Sequence, residues 1–534
     1  MNRFVGTWAL TRLALRRDRI LLPVWILVFP LFTVSSASAT LALYPDEASR
    51  VEAASAINNL PVGVALYGRI WDPTSLGALS LLKLAAMGGV MIGILAIMLV
   101  TRHARSEEEK GRTELIGASV VGSWAGLTAA MIVTTVALVA IGVLSALGLT
   151  AAGLPAGGSW AFGLAWTTTG LAFAAVSAVA NQVTVSARAA NALAMIVLAI
   201  TYLLRAIGDV SGDATAPGLL SWLSPIGWGQ QVRPYAGDRF AVLLLPLGFT
   251  AAGLVAAFAL QSRRDIGAGL LPDRSGRAAA SPRLSSPLAL AWRLQYPMLL
   301  GWLIAYAILS AIVGSIVNDL SGMLDTDQAK QMITALGGTE VLMDAFVSME
   351  FSILAFVTAA YGIVAARRLA TEEADGHVEP LLATAVSRTR FLMSHLSVAL
   401  VGTTLLALTQ GTAFALASAA QSGSGDRIAS TIGASVAYLP AIWLMTGVVI
   451  LLFGYVPRLT FVAWILLVGF LLVAELGALL SWPGWLVDTS PFAQISKLPG
   501  ATLDLTPLIV LLAMAIALIA IGAARFRRRD LATP

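Results

Sequence analysis

The chain has no cysteine, only three histidines and few charged residues. Of its 534 residues, 12% are Asp, Glu, Lys or Arg. Without cysteine there is no disulfide, no thiol nucleophile and no thiolate metal site. His103, His377 and His395 belong to no His-Glu-x-x-His string, and no Gly-x-Ser-x-Gly string occurs. These absences argue against a membrane-embedded enzyme, so we assign no catalytic residue and no metal ligand.

Apolar residues, by contrast, make up 58% of the chain, too many for a water-soluble surface. A helix needs about 20 apolar residues to cross a bilayer, and that rule finds twelve stretches. They lie near 20–41, 79–101, 124–149, 160–182, 188–208, 240–261, 296–317, 350–366, 391–419, 429–453, 459–480 and 505–524. The sequence therefore predicts an all-α polytopic membrane protein with about twelve transmembrane helices.

Arginine clusters predict the orientation of these helices. The clusters are Arg12–Arg19 before the first stretch, and Arg102–Arg112, Arg263–Arg283, Arg367–Arg390 and Arg525–Arg529 after the second, sixth, eighth and twelfth. Because basic loops stay in the cytoplasm, both termini are predicted to be cytoplasmic in a bacterial plasma membrane. The same rule explains the net charge of +5 without nucleic acid as a partner.

The basic segment before the first predicted span can be interpreted in two ways. It alternates Phe4, Trp8 and several leucines with arginines, which suits an amphipathic helix on the inner membrane surface. Ordinary flanking charge for the first membrane span fits equally well.

Several motifs occur twice, about 265 residues apart. "EEEKGRTEL" at 107–115 returns as "EEADGHVEPL" at 372–381, and "RRDIGAGLL" at 263–271 returns as "RRDLATP" at 528–534. "SP" at 224–225 and "LALRRDRILLPVW" also have later counterparts. We therefore predict a tandem duplication: a six-span half at 1–261, a cytoplasmic linker at 262–287 and a second half at 288–534.

The repeated acidic motif lies in segments 102–120 and 367–390, one after the second span of each half. Spacing places Glu107, Gly111 and Glu114 on one face of a single short helix, and lets Glu108 pair with Arg112. Pro380 is expected to end or kink the second copy. Glutamates contribute little to topology, so their duplication predicts that a cytosolic partner docks there.

These motifs resemble a family, the ABC-2 type exporter permeases, and in particular the fused twelve-span multidrug or polyketide-antibiotic (tetronasin-type) exporters. The resemblance rests on the two acidic segments, on "SPIGWGQQVRPYAGDR" and on "RRDIGAGLL", and covers essentially the whole chain. It implies that the acidic segments are coupling helices seated on ATP-binding subunits, with the N-terminal segment as a connector helix. The implied coupling residues are Glu107, Glu108, Gly111, Arg112, Glu114, Glu372, Glu373, Gly376, His377, Glu379, Arg388 and Arg390.

The two halves differ at one point of this pattern. The first half has "VVGSW" where the second has the basic "AVSRTR", so Arg388 and Arg390 have no basic counterparts. Unequal coupling at the two segments is therefore an open alternative.

The chain lacks a Gly-x-x-x-x-Gly-Lys-Ser/Thr phosphate loop, so it is predicted to be a permease without its own ATPase site. The resemblance implies that ATP and Mg bind to separate ATPase subunits, two copies per permease, and that the direction of transport is export. The alternative is a twelve-span secondary drug transporter of the major-facilitator type. Its Gly-x-x-x-Asp-Arg-x-Gly-Arg-Arg loop string is not found, and proton-relay acids are scarce.

Few ionisable groups lie inside the predicted spans, which favours hydrophobic or amphiphilic cargo over polar or ionic cargo. Arg205 and Glu475 lie at similar depth in the fifth span of each half, and could pair as a latch on the outer gate. Phe346, Met349, Phe351 and Phe356, near the outer end of the eighth span, could contact bulky apolar cargo.

Overall fold

The computed structural model describes residues 2–117, 120–213, 215–265, 267–271, 279, 281–317, 339–476 and 483–531. Within these ranges every regular element is a helix, and twelve helices are long and apolar enough to cross a membrane. The predicted all-α polytopic fold is therefore confirmed. The chain divides into two compact units, Met1–Gly276 and Arg277–Pro534, with six of the spans in each.

The first unit begins with a surface helix, Thr7–Arg17, that ends before a short turn. Its spans 1 to 6 are Leu21–Leu43, Leu76–Glu109, Ala125–Ala151, Ala156–Val183, Ala187–Ser211 and Phe240–Gln261. Span 2 contains a π-helical turn, Leu84–Gly88. The indole Nε1 of Trp166 donates to the Leu84 carbonyl there at 3.1 Å, because such a turn breaks the regular helical hydrogen bonding.

The second unit opens with one continuous helix, Pro287–Ile316, where the first unit has a surface helix and a separate span. Its spans 7 to 12 are Pro287–Ser315, Met343–Ala374, Arg388–Ser422, Ile428–Tyr455, Pro457–Ala474 and Leu505–Arg528. Span 10 is formed by two helices, Ile428–Val436 and Leu439–Tyr455.

Three span pairings recur in the two units. In the first unit span 1 packs on span 3, span 2 on span 4, and span 4 on span 6; in the second, spans 7 and 9, 8 and 10, and 10 and 12 pack together. Span 4 is mostly buried, whereas spans 1 and 6 expose most of their apolar surface. Apolar exposure of this kind suits contact with lipid.

Glycines bring spans 3 and 4 into backbone contact. A Cβ added to Gly142 would lie 2.5 Å from the Gly163 carbonyl oxygen, and one on Gly163 would lie 2.3 Å from the Gly142 oxygen. In the second unit Gly454 and Gly522 make a similar close contact, but between spans 10 and 12, the pair that corresponds to spans 4 and 6. Small residues at crossings are the usual means of close helix packing in membranes, where lipid supplies no hydrophobic drive for association.

Replacing Gly142 with valine is therefore expected to destabilise the first unit by about 1–3 kcal/mol or more, because the backbones must separate. Thermal unfolding of the purified chain in detergent measures the change. Gly248→Val is the control, since a Cβ there meets open space. Equal melting temperatures for the two variants would contradict the close packing.

A folded cap covers the predicted outer side of the first unit. It contains helices Glu47–Asn58, Pro61–Tyr67 and Pro225–Gln231. Tyr235 inserts its ring between Gly77 and Gly158, where any side chain would collide with it, and its hydroxyl lies 2.9 Å from Ser159 Oγ. Burial raises the pKa of Tyr235 to about 12. The cap is thus locked onto spans 2 and 4.

Candidate functional site

The first acidic segment is a bent hairpin at the end of span 2. The first helix runs from Arg105 to Glu109, and a second short helix runs from Arg112 to Gly117. Gly111 between them has φ +68°, a left-handed conformation that glycine adopts at little cost. The prediction of a single helix with Glu107, Gly111 and Glu114 on one face was therefore wrong.

Glu108 is the anchor of this first hairpin. Its carboxylate receives Arg105 Nη1 at 2.6 Å, and Arg264 contacts it through two nitrogens at 2.7 and 2.9 Å. The Arg105 side chain is fully buried and also donates to the Thr184 and Ala268 carbonyls. Two arginines thus tie the hairpin to the end of span 4 and to the chain that follows span 6.

The neighbouring acids hold other elements. Glu107 pairs with Arg17 of the surface helix and with Arg112 at 3.2 Å, so the predicted Glu108–Arg112 pair is not formed. Glu109 accepts a hydrogen bond at 3.0 Å from the Ala187 backbone N–H, which starts span 5. The hairpin consequently touches the surface helix and spans 4 and 5 at once.

The second acidic segment forms a matching hairpin at the end of span 8. The long helix Thr339–Ala374 stops before Gly376, which has φ +75°, and helix Val378–Leu382 follows. Pro380 lies within the first turn of that helix, where no backbone N–H is needed. It therefore neither ends nor kinks the helix, contrary to the sequence-based expectation.

A carboxylate–guanidinium pair anchors this second hairpin too. Glu373 and Arg529 form two hydrogen bonds of 2.6 Å each, with side chains only 3% and 10% exposed. Such a two-point geometry is the strongest form of this contact. Glu372 is bound by Arg368 and by His377 Nδ1 at 2.9 Å, while Arg388 donates to backbone carbonyls of Phe526 and Arg529.

The two anchors occupy corresponding positions. Glu373 and Arg529 each lie 265 residues after Glu108 and Arg264. The arginines of the repeated "RRD" had no predicted role in the sequence. The sequence did contain a signal for this pairing, because the glutamates and the arginines both recur 265 residues later.

Burial divides the implied coupling residues into two groups. Glu108, Glu372, Glu373 and Arg388 are engaged inside the protein, and Glu107 is half-buried in its ion pairs. Gly111 and Gly376 form the turns. The exposed members of the set are Arg112, Glu114, His377, Glu379 and Arg390.

The proposed latch residue Arg205 has partners within its own unit. It is fully buried and donates to Asp209 at 3.3 Å and to the Ala65 and Leu66 carbonyls at 2.7 and 3.2 Å. These bonds hold the cap helix Pro61–Tyr67 to span 5. The side chain of Glu475 lies outside the described residues, so its pairing with Arg205 stays a prediction.

The four proposed cargo contacts point in different directions along one helix. Phe351 is buried against Phe414, with ring centroids 5.3 Å apart, and Phe356 is buried against Phe492 at 4.0 Å. Met349 is 59% exposed and Phe346 is half-buried. The structure does not gather them into one surface, and their contact with cargo stays a prediction.

Comparison with known proteins identifies the family. The chain is 43% identical over 531 residues to the multidrug efflux system permease protein Rv1217c of Mycobacterium tuberculosis, an alignment covering 99% of this chain and 95% of that protein. Residues 284–527 match the family model for the C-terminal domain of multidrug efflux system permease Rv1217c. This similarity spans both units and both hairpins. The chain therefore belongs to the family of the multidrug efflux system permease Rv1217c.

Proposed function

We propose that this chain is the permease subunit of an ATP-driven exporter of the ABC-2 type, energised by separate ATPase subunits. The observation that carries the proposal is the pair of hairpins. Each hairpin follows the second span of its unit. A glutamate–arginine pair anchors each hairpin to the residues just after the sixth span of the same unit.

A coupling element has to be held rigidly against the spans that it moves. The Glu108–Arg264 and Glu373–Arg529 pairs hold the two hairpins in this way. A push on the first hairpin reaches span 4 through Arg105, span 5 through Glu109 and the surface helix through Arg17. Packed elements joined in this way move as bodies rather than deform. The exposed side chains Arg112, Glu114, His377 and Glu379 are left available to a partner.

The two hairpins favour two ATPase subunits, one per unit. In this proposal the chain is a tandem duplication, because the Glu–Arg anchors, the positive-φ glycines and three of the span pairings recur. Both hairpins, both termini and the ATPases lie in the cytoplasm of a bacterial cell. ATP and Mg bind on the partner, and closure of the ATPases moves the hairpins and so the spans.

The cargo proposed is hydrophobic or amphiphilic, such as a drug or an antibiotic. The name of the relative, multidrug efflux system permease, supports this class. So does the scarcity of ionisable residues in the predicted spans, since pathways for ions are usually marked by such groups at membrane depth.

Co-purification tests the proposal. The chain is expressed with a candidate ATPase, purified in detergent and weighed by native mass spectrometry, and drug uptake is measured in inside-out vesicles. We expect one permease with two ATPases, and uptake that needs ATP. Recovery of the permease alone, with uptake driven by a proton gradient and unaffected by ATP, would reject the proposal in favour of a secondary transporter.

A further inference from the structure

The cap of the first unit encloses a cavity of about 50 Å³, far along the chain from the hairpin residues. Its wall is formed by the motif "QQVRPYAG" at 230–237 and by the outer ends of spans 2, 4 and 5. Since about 10–15 Å³ suffices for one water, the cavity has room for a group of several heavy atoms. The hairpins make no use of this motif.

The motif has an unusual backbone. Arg233, Tyr235 and Asp238 have φ values of +51°, +61° and +42°, in the left-handed region that residues with side chains rarely adopt. Strain of this kind costs free energy and clusters where it serves a site. Here the turn places the Arg233 guanidinium over the ring of Trp71, 3.5 Å from its centroid, and in the wall of the cavity.

Arg233 is buried without a carboxylate partner among the described residues. It is 8% exposed, its Nε donates to Gln231 Oε1 at 3.3 Å, and its Nη2 donates to the Thr215 carbonyl at 2.8 Å. Its Nη1 has no acceptor in the described chain. Burial, and next the nearby Arg239, lower the pKa of Arg233 to about 10, so the side chain is still charged at neutral pH. An anion would offset the cost of this buried charge.

Two further donor groups line the same cavity. Gln231 is only 1% exposed, and its Nε2 makes no hydrogen bond to a residue that the structure describes. Arg69 is partly exposed and forms neither a hydrogen bond nor an ion pair within the described ranges. Two guanidinium groups and one amide are therefore free to donate into one small space.

The acids near the cavity are already engaged. Asp209 receives Arg205 at 3.3 Å and the Ser221 hydroxyl at 2.8 Å. The carboxylate of Asp213 accepts three hydrogen bonds of 2.6 to 2.9 Å from the chain at 215–216. The cavity consequently has a surplus of positive charge, and positive charge on the predicted outer side has no role in setting topology.

We propose that this cavity binds a phosphate-type oxyanion, held by Arg69, Arg233 and Gln231. Guanidinium forks match the spacing of phosphate oxygens and bind them at two points. The anion is either free phosphate or the phosphate of a lipid headgroup, since the cavity lies at the outer ends of the spans. Its binding joins the chain before span 2 to helix Pro225–Gln231 and so closes the cap. 

The second unit lacks these groups. Aligned without gaps on the shared Ser-Pro, Arg233 corresponds to Pro499 and Gln231 to Lys497. The proposal therefore assigns the site to the first unit alone.

Hydrogen–deuterium exchange of the full chain in detergent tests the site locally. Sodium phosphate is compared with sodium chloride at equal ionic strength, and dioctanoyl phosphatidic acid with dioctanoylglycerol, which lacks only the phosphate. We expect phosphate, in one or both forms, to slow amide exchange about threefold or more in residues 67–76 and 228–240. Residues 490–500 of the second unit should not respond.

Two variants act on the anion in opposite ways. Arg69→Gln removes a charge that has no partner in the described chain, so it should leave the fold intact and abolish the response to phosphate. Gln231→Glu places a carboxylate beside Arg233, so exchange in the same residues should already be slow without phosphate. Lys497→Gln, which removes an exposed charge on the predicted outer side of the second unit, is the control that should keep the full response.

The two phosphate arms distinguish the sources. A response to phosphatidic acid alone identifies a lipid headgroup as the ligand, and a response to sodium phosphate shows that the free anion binds. No response in either arm overturns the proposal. An equal response to chloride or to dioctanoylglycerol also overturns it, as does a phosphate response that survives either Arg69→Gln or Gln231→Glu.

Discussion

Replacing Glu373 with alanine is expected to lower the free energy of unfolding of the second unit by roughly 3–5 kcal/mol, because one partner of a buried ion pair is lost. Arg529 is 10% exposed and would keep its charge with no carboxylate in its place. It already lies over the rings of Phe453 and Phe526, at 5.0 and 5.1 Å, so it has little freedom to turn toward water. Thermal unfolding in detergent measures the loss.

Glu379→Ala on the same hairpin is the matched control, since that glutamate is exposed and its removal should change stability by less than about 0.5 kcal/mol. Exchanging the pair, Glu373→Arg with Arg529→Glu, should recover part of the stability lost in either single reversal. A Glu373→Ala chain as stable as the Glu379→Ala chain would show that the pair is no anchor.

Reversing both exposed hairpin acids, Glu114→Lys together with Glu379→Lys, is expected to weaken association with the ATPase at least tenfold. ATP-dependent uptake should fall in parallel. The two glutamates are exposed three residues after the turn glycines Gly111 and Gly376, at what we call the hairpin tips. A basic partner surface that binds these acids would meet like charge in the double variant, and such contact across an interface costs several kcal/mol. Pull-down yield and vesicle uptake, each normalised to permease content, measure the effect.

Glu52→Lys is the control for this double reversal. Glu52 is also exposed, but lies in helix Glu47–Asn58 on the side predicted to be outside the cell. It carries the same change of charge and should leave both readouts intact. The double variant and the Glu52→Lys chain are both expected to melt at temperatures close to that of the unaltered chain. Normal ATPase binding by the double variant would contradict docking at the hairpin tips.

The twelve spans could be predicted because length and apolarity along the chain are sufficient signals for a membrane helix. The ion pairs and the turns within the hairpins could not be predicted in this way. Glu108 meets Arg264 from 156 residues away, and no local spacing reveals such a pair. The break at Gly111 depends on a left-handed glycine, and helical periodicity alone continued the helix through it.

Arg205 shows a different limit. Asp209 lies four residues further along the same helix, a spacing that favours an ion pair, whereas the predicted partner, Glu475, lies in the other half. Arg205 also donates to the carbonyls of Ala65 and Leu66, which belong to helix Pro61–Tyr67. Only the folded structure shows where this helix lies. Backbone acceptors leave no mark in a sequence.

The central claim is that both hairpins dock on ATPase subunits, and cysteine cross-linking tests it most directly. Because the chain contains no cysteine, Glu114→Cys or Glu379→Cys introduces one thiol at one hairpin tip. A short reagent that joins this thiol to lysines should link each single-cysteine permease to the ATPase, and Glu52→Cys should give no such product. Cross-links absent at both tips in a complex that still hydrolyses ATP and transports would contradict the account.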